Sequence, residues 1–272
     1  MSRIYGIELS IQIGSYLFNR APRCIITYDR HTVLSRAEIH VPNHVFGAAE
    51  NTLSSLSQFQ EVSIEVGYRN QKPHKWAGAV DGWKQGQGNK RDQLIIYAAG
   101  VELPLVQKTI REMWVDEPAS AIAKRILEAS GLTVGVVDVP QEIIPRMTLA
   151  TVPLWQAMQQ LSNTLQQGHG RKMADHALWV DEAKLVNFAP CDHWQDTTPV
   201  IATGAGLIRH TPSQTVSGRS EVETFLLPTM RAGMRFTLKD SCKGIAGTFR
   251  ALRVTHSVKP NKARTVLSYN ET

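Results

Sequence analysis

Between Ile4 and Ile13, the apolar residues Ile7, Leu9, Ile11 and Ile13 alternate with Glu8, Ser10 and Gln12. A period of two puts one set on one face of a β-strand and leaves the other face wet. Cys24 to Tyr28 reads as a second, shorter strand. In Ser35 to Val41 the alternation returns, with Ala37, Ile39 and Val41 on one face, and Pro42-Asn43 ends the run. Val45 to Leu56 is less regular and reads as a short helix or a crossing loop. Val62, Ile64 and Val66 alternate against Ser63, Glu65 and Gly67, up to the polar turn Arg69-Asn70-Gln71-Lys72-Pro73. Trp76 to Trp83 and Gln93 to Ala98 follow, separated by the Gly-rich basic turn Gln85 to Arg91. Strands at this turn-separated spacing predict an antiparallel barrel or sandwich over the first hundred residues.

The pattern then changes. Leu103 to Val115 reads as a loop with a short helix, Pro104 at its start. Asp116-Glu117-Pro118 reads as a helix opening, since acidic residues and Pro suit a first turn. Ile122, Ile126 and Leu127 follow at helical spacing, and Gly131 takes the place of a C-terminal cap. Val134 to Val139 is a strand candidate. Thr151 reads as the N-cap of a second helix with Pro153 just inside; Leu154, Met158, Leu161 and Leu165 mark one face to about Gln166, closed by Gly168. Ala177 to Val180 and Leu185 to Phe188 read as a hairpin around Asp181-Glu182. Residues 189 to 221 are rich in Thr, Ser, Pro and Gly.

From Val222 to Tyr269 strand-length runs return, punctuated by Gly, Pro, Asn and Lys. In the middle run Phe249, Leu252, Val254 and Ser257 or Val258 break the alternation, which predicts a bulge or burial on two faces. Such strands at a chain end predict the closing half of a small barrel or sandwich. The order is strands, two helices, then strands: a mainly β protein with a helical, α+β insertion.

Composition narrows the class. The 272 residues suffice for two modest cores, and 42% hydrophobic content is that of a globular chain. No apolar run approaches the roughly 20 residues of a membrane span, so no membrane insertion is expected. The start Met-Ser-Arg-Ile-Tyr-Gly-Ile-Glu lacks the pattern of a signal peptide, so synthesis in the cytosol is expected. Three dispersed cysteines, Cys24, Cys191 and Cys242, argue against a disulfide framework. The formal charge of +6 favours acidic partners without naming nucleic acid.

Candidate chemistry is thin. Cys191-Asp192-His193, with His169, Asp175 and His176 upstream, contains metal-type ligands, but the spacing fits no zinc pattern. Cys191 and His193 would share one face of a strand; ordinary loop residues is the better reading. A Cys–His nucleophile lacks a visible orienting partner and oxyanion site. His256 reads as a satisfied barrel histidine rather than a base. No nucleophile elbow or Walker-type phosphate loop exists: Lys90-Arg91 follows the glycines of Gly82 to Gly88 without a Lys-Ser/Thr pair. No stretch favours a carboxylate pair for glycoside cleavage. The sequence thus names no catalytic, cofactor-binding or metal-binding residue, and no cofactor. Basic groups (Arg69, Lys72 and Lys75; Lys84, Lys90 and Arg91; Arg171 and Lys172; Lys259, Lys262 and Arg264) fall mostly on turns and read as solvated tips and subunit contacts. The sharper reading is a nucleic-acid surface with Trp76 and Trp83 as stacking platforms. Their odd separation puts them on opposite faces of a regular strand, which weakens it.

The order of elements, together with several sequence words, resembles the late-control protein D family, the hubs of phage tail baseplates, which includes the hub part of type VI secretion spikes. Val62-Ser63-Ile64-Glu65-Val66-Gly67 followed by Trp76-Ala77-Gly78-Ala79-Val80-Asp81-Gly82-Trp83 is similar to the family's strand pair. Leu94 to Gly100 resembles the strand before the helical insertion. Glu117 to Leu132, then Thr148 to Gln167 with Leu154-Trp155-Gln156-Ala157-Met158, resembles its helix pair. Leu227 to Phe236 and Phe249 to Ser257 resemble its closing barrel. The match spans roughly residues 60 to 269 in order and spacing. The chain is short for the family, with no stretch for a lysozyme domain or needle.

The resemblance implies two small antiparallel barrels of similar type, at 1–100 and 191–272, flanking an inserted domain at 101–190. It implies a homotrimer presenting six barrels in a pseudo-sixfold ring between a hexameric tail tube and a trimeric central spike. The implied partners are further copies of the chain, tail tube or distal tail proteins, the spike and other baseplate proteins, with DNA at most passing through the lumen. The implied location is the virion tail, assembled in the host cytoplasm, and the implied role is structural, without enzymatic activity. The alternatives are an oligonucleotide-binding barrel and a tail-associated cell-wall hydrolase.

Overall fold

A computed structural model describes residues 6–19, 21, 23–42, 56–86, 93–190, 193, 195, 197–214 and 218–270. The irregular run at 45–55, most of the basic turn at 87–91, and Cys191-Asp192 lie outside the described residues. Strand accounts for 56% and helix for 14%, so the protein is mainly β, as its alternation predicts. Among the described residues no helix is long and apolar enough to cross a membrane.

The chain divides into two compact units. One takes Met1–Asp29, Ser35–Gly100 and Thr198–Thr272; the other takes Arg30–Leu34 and Val101–Thr197. The first holds β1 (Ile7–Ile13), β2 (Tyr16–Phe18), β3 (Arg23–Asp29), β4 (Arg36–Pro42), β5 (Glu61–Tyr68), β6 (His74–Gln85) and β7 (Gln93–Gly100). The second holds α1 (Leu103–Gln107), β8 (Thr109–Pro118), α2 (Ala119–Glu128), β9 (Thr133–Val137), β10 (Ile143–Pro153), α3 (Leu154–Asn163), β11 (His176–Val180) and β12 (Leu185–Pro190). The chain then returns to the first unit with β13 (Val200–Ala202), β14 (Leu207–Thr211), β15 (Ser220–Phe225), β16 (Arg235–Asp240), β17 (Ile245–Arg250), β18 (Arg253–Lys259) and β19 (Lys262–Tyr269).

The two β-rich ends, expected as two barrels divided at 100/101 and 190/191, share one 11-stranded sheet in the order β14-β15-β19-β18-β3-β4-β7-β6-β5-β1-β2. Every neighbouring pair in it is antiparallel. The joint is β3 against β18, where Tyr28 faces Val254, Ile26 faces His256 and Cys24 faces Val258. All six side chains are buried. A period-two pattern at each end of the chain thus supplies one shared apolar face. A smaller sheet, β13-β16-β17, carries the remaining C-terminal strands.

The second unit packs α2 and α3 against the pair β8/β10. Its core includes Trp114, Ile122, Ile126, Met147, Leu154, Met158, Leu161 and Phe188, each almost fully buried. The predicted helix faces are therefore the packed faces, each large side chain contributing roughly 1.5–3 kcal/mol by leaving water. The helix of α3 runs on through a wider turn, Thr164–Gly168. Gly131 ends the α2 segment with φ +78, the left-handed geometry a C-terminal cap needs.

Four expectations are corrected. Leu103 to Val115 is not mainly loop: after α1, most of it is strand β8, held by antiparallel pairing to β10. Asp116 and Glu117 do not open α2 but finish β8; Pro118 is the N-cap, and the Ala119 amide donates to the Glu142 carbonyl (2.8 Å). In the same way Thr151 belongs to β10, Pro153 is the N-cap, and the Leu154 amide donates to the Lys108 carbonyl (3.1 Å). In each case a backbone carbonyl just ahead of the partner strand takes the first helical amide, and no Thr or acidic side chain caps the helix. The broken alternation at Phe249 to Val258 is a change of sheet: β17 ends at Arg250, and β18 starts at Arg253 in the large sheet.

Candidate assembly surfaces and buried polar networks

Edge strands come first, since their unpaired amides and carbonyls are where another chain can add. β14 and β2 are the outer strands of the large sheet, and β13 and β17 of the small one. Leu17 on β2 and Val200 on β13 are more than half exposed, and Ile208 on β14 is 40% exposed. On the second unit, Met113 and Val115 stand outward on β8, facing Thr148 and Arg146 across the ladder. Ile143 at the start of β10 is also exposed, and the Arg146 guanidinium reaches the Met113 sulfur at 3.8 Å.

Two buried polar networks lie in the first unit. In one, the His256 ring on β18 donates from Nε2 to the Met230 carbonyl (2.9 Å) and accepts at Nδ1 from the Thr265 hydroxyl (2.9 Å). That hydroxyl in turn accepts the Leu227 amide (2.8 Å). The arrangement fixes the neutral tautomer and fastens the segment after β15 to the sheet. Nearby, Tyr28 Oη donates to His74 Nε2 at 3.2 Å, and the Arg231 guanidinium lies 5.7 Å from the Tyr28 ring centre. Burial, then the charges of Arg231 and His256, hold His74 down to about 3. Burial holds His256 down to about 4, with Arg231 adding and the Met230 bond opposing. Neither is a base at neutral pH, and His256 is the satisfied histidine the sequence predicted.

In the other network, His210 Nδ1 donates to Asp240 Oδ2 (2.8 Å) while Tyr269 Oη donates to His210 Nε2 (2.8 Å). All three side chains are buried. The His210 bond holds the Asp240 carboxyl below its usual value, helped by the Cys242 and Lys243 amides and opposed by burial. The trio ties β14, β16 and β19 together. Tyr269 also meets Phe236 edge-on and Phe249 at 4.5 Å between ring centres, so the trio sits among packed aromatic rings. Sequence spacing gave no signal for it, because its members are brought together by three strands.

Of the metal-type residues, the structure brings His193 and His176 to a residue the spacing did not suggest, Asp138. His193 Nε2 lies 2.8 Å from the Asp138 carboxylate, and His176 Nε2 lies 3.0 Å from its backbone carbonyl. His169 goes elsewhere, to Glu142 (3.6 Å), which Arg171 also holds. Among the described residues no group of three or more His, Cys, Asp or Glu side chains could hold a metal ion. Cys24 is buried in β3, and that burial pushes its thiol up to about 12, an unreactive state.

The tryptophan argument changes. A bulge at Val80/Gly82 adds one residue to β6, so Val80 pairs with Ala98 and Trp83 with Ile96. Trp76 and Trp83 therefore share one sheet face, against the regular-strand expectation. Trp76 is buried, however, with its indole N–H donated to Ser35 Oγ at 2.9 Å. It is a core residue, not a stacking platform.

No protein-family model and no curated protein matches the sequence. Solved structures do match across nearly the whole chain. A tail protein from Neisseria meningitidis MC58 superposes with a TM-score of 0.73 at 11% identity, covering 98% of this chain and 97% of that one. The 43 kDa tail protein of prophage MuSo2 from Shewanella oneidensis gives 0.71 at 12% identity, covering 97% and 96%. The Escherichia coli c3393 protein, a type VI secretion component described as structurally similar to the T4 phage tail proteins gp27 and gp5, gives 0.64 at 9% identity, covering 96% and 76%. The chain shares the fold of these phage tail and type VI secretion proteins.

Proposed function

We propose that this protein is the structural hub of a phage tail baseplate or related injection machine, a homotrimer joining a hexameric tail tube to a trimeric central spike. The observation that carries the reading is the end-to-end match of the fold to tail proteins, at 98% and 97% coverage. The organisation of the first unit supports it. The outer strands of its sheets and the exposed Leu17, Val200 and Ile208 offer surfaces for neighbouring copies. The partners are further copies of the chain, tube or distal tail proteins, the spike and other baseplate proteins, in the virion tail. The chain works by shape and contact, without enzymatic activity; the buried His210–Asp240–Tyr269 trio is a structural tie.

The test is solution mass by light scattering over a concentration series, with and without nuclease. A species of three times the 30.3 kDa protomer, unchanged by nuclease, is the expected result. A strict monomer at every concentration, alone and when mixed with the cognate tube and spike proteins, would sink the reading.

A further inference from the structure

Hairpin β18–β19 and the start of β1 border a cleft of about 860 Å³ within the first unit. Its wall is apolar and cationic at once: Ile7, Leu9, Tyr68 and Phe225 line it beside Lys259 and Arg264. Phe225 is 40% exposed, and the Arg264 guanidinium lies 5.2 Å from its ring centre. The sequence places Arg69 and the Lys259, Lys262, Arg264 group nearly two hundred residues apart; the fold brings them to one cleft.

Cations outnumber carboxylates along this cleft: Arg69, Lys259, Lys262 and Arg264 line it against Glu8 and Glu65. Glu8 is held by Arg69 at 3.1 Å and Glu65 by Lys75 at 2.8 Å. Lys262 at 3.3 Å and Arg264 at 3.9 Å share one carboxylate outside the lining, Glu223, which Arg209 also approaches at 3.5 Å. Arg264 Nε makes no hydrogen bond and faces the Glu223 carboxylate only at the longer 3.9 Å; its Nη1 donates to its neighbour's carbonyl, Ala263 O. Lys259, exposed at the hairpin tip, makes no ion pair among the described residues. That excess of cations favours an incoming carboxylate. A nucleic-acid backbone fits worse: it carries a charge at every unit, and the aliphatic wall of Ile7 and Leu9 offers those charges no partner. The aromatic and aliphatic wall instead suits alternate apolar side chains of an extended chain.

We propose that this cleft is a docking site for an extended acidic peptide segment of another protein, its apolar side chains against Phe225 and Leu9 and its carboxylates at Arg264 and Lys259. The proposal does not depend on the trimeric-hub reading.

The experiment is fluorescence anisotropy with the full chain and a labelled peptide alternating Glu and Val. A Gln/Val peptide and a single-stranded oligonucleotide of equal length are the comparisons. Saturable binding of the Glu/Val peptide is expected. Lys259→Glu and Arg264→Gln should each weaken it about tenfold, and added salt should weaken it further. Lys259 is exposed at the end of β18, so its variant keeps the test valid if Arg264→Gln fails to fold. The proposal is overturned by absent or non-saturable binding, by equal affinity for the Gln/Val peptide, or by unchanged affinity in the Lys259 variant. Tighter binding of the oligonucleotide through the same residues would also overturn it and make the cleft a nucleic-acid site.

Discussion

Gly78 on β6 leaves no room for a side chain. A Cβ there would lie 2.2 Å from the Ala99 carbonyl oxygen and 2.5 Å from the Trp76 ring. The backbone carbonyl cannot yield as a flexible side chain would, so Gly78→Ala is expected to cost about 2–3 kcal/mol. Denaturant unfolding monitored by tryptophan fluorescence checks this; an unchanged midpoint refutes it. His256 makes a different demand. Replacing it with Leu keeps volume but strands the Met230 carbonyl and removes the acceptor of the Thr265 hydroxyl, a loss of about 2 kcal/mol at neutral pH. The same titration reads that loss. His256 was legible from sequence as a satisfied core residue. Its partners were not: Met230 is 26 residues away, on the segment between β15 and β16.

At the scale of elements, β8–α2 and β10–α3 repeat one device. Each strand has a non-glycine residue at positive φ, Asp116 (φ 51) and Thr151 (φ 58), two residues before a proline N-cap. The two strands then pair antiparallel, with Thr109 opposite Pro153 and Pro118 opposite Ile143. A left-handed backbone costs a β-branched residue roughly 1–2 kcal/mol, whereas glycine adds about 0.5–1 kcal/mol of unfolded-state entropy. The first is larger, so Thr151→Gly is expected to stabilise by about 0.5–1 kcal/mol. A lower melting temperature in that variant would contradict the strain argument. Sequence signals missed this unit for a clear reason. Acidic residues before a proline suit a helix start and a strand end alike, and only the pairing of Glu117 with Ile144 selects the strand.

For the whole molecule, the buried histidines predict acid sensitivity. Unfolded, both titrate near 6.5; folded, His74 lies at about 3 and His256 at about 4. Between those limits the unfolded chain binds more protons. The stability they contribute is therefore complete above pH 6.5 and is lost as the pH falls through this window toward 4 and 3. Each histidine gives a slope of up to about 1.4 kcal/mol per pH unit. Urea midpoints between about pH 7 and pH 4.5 should fall steadily, and His256→Leu should shallow the slope by about half. A flat profile in the parent protein would show that the histidines already charge in the fold.

The sequence by itself determined the class of each end of the chain. The alternation at Ile7–Ile13, Val62–Val66 and Val254–Val258 requires strands with one buried face, and the spacing of Leu154, Met158 and Leu161 requires a helix; these are local consequences of side-chain period. It determined no site, because no short run carries a ligand set or a nucleophile arrangement. Tertiary structure decided what those faces meet. The pairing of β3 with β18 unites the two ends in one sheet, the bulge at Val80/Gly82 reverses the expected facing of Trp83, and the basic turn at Lys259 meets β1 across a cleft. None of these is encoded in a period. Register and closure are set by contacts between residues far apart in sequence, where many pairings of alternating strands satisfy the same local pattern and only the complete packing selects one.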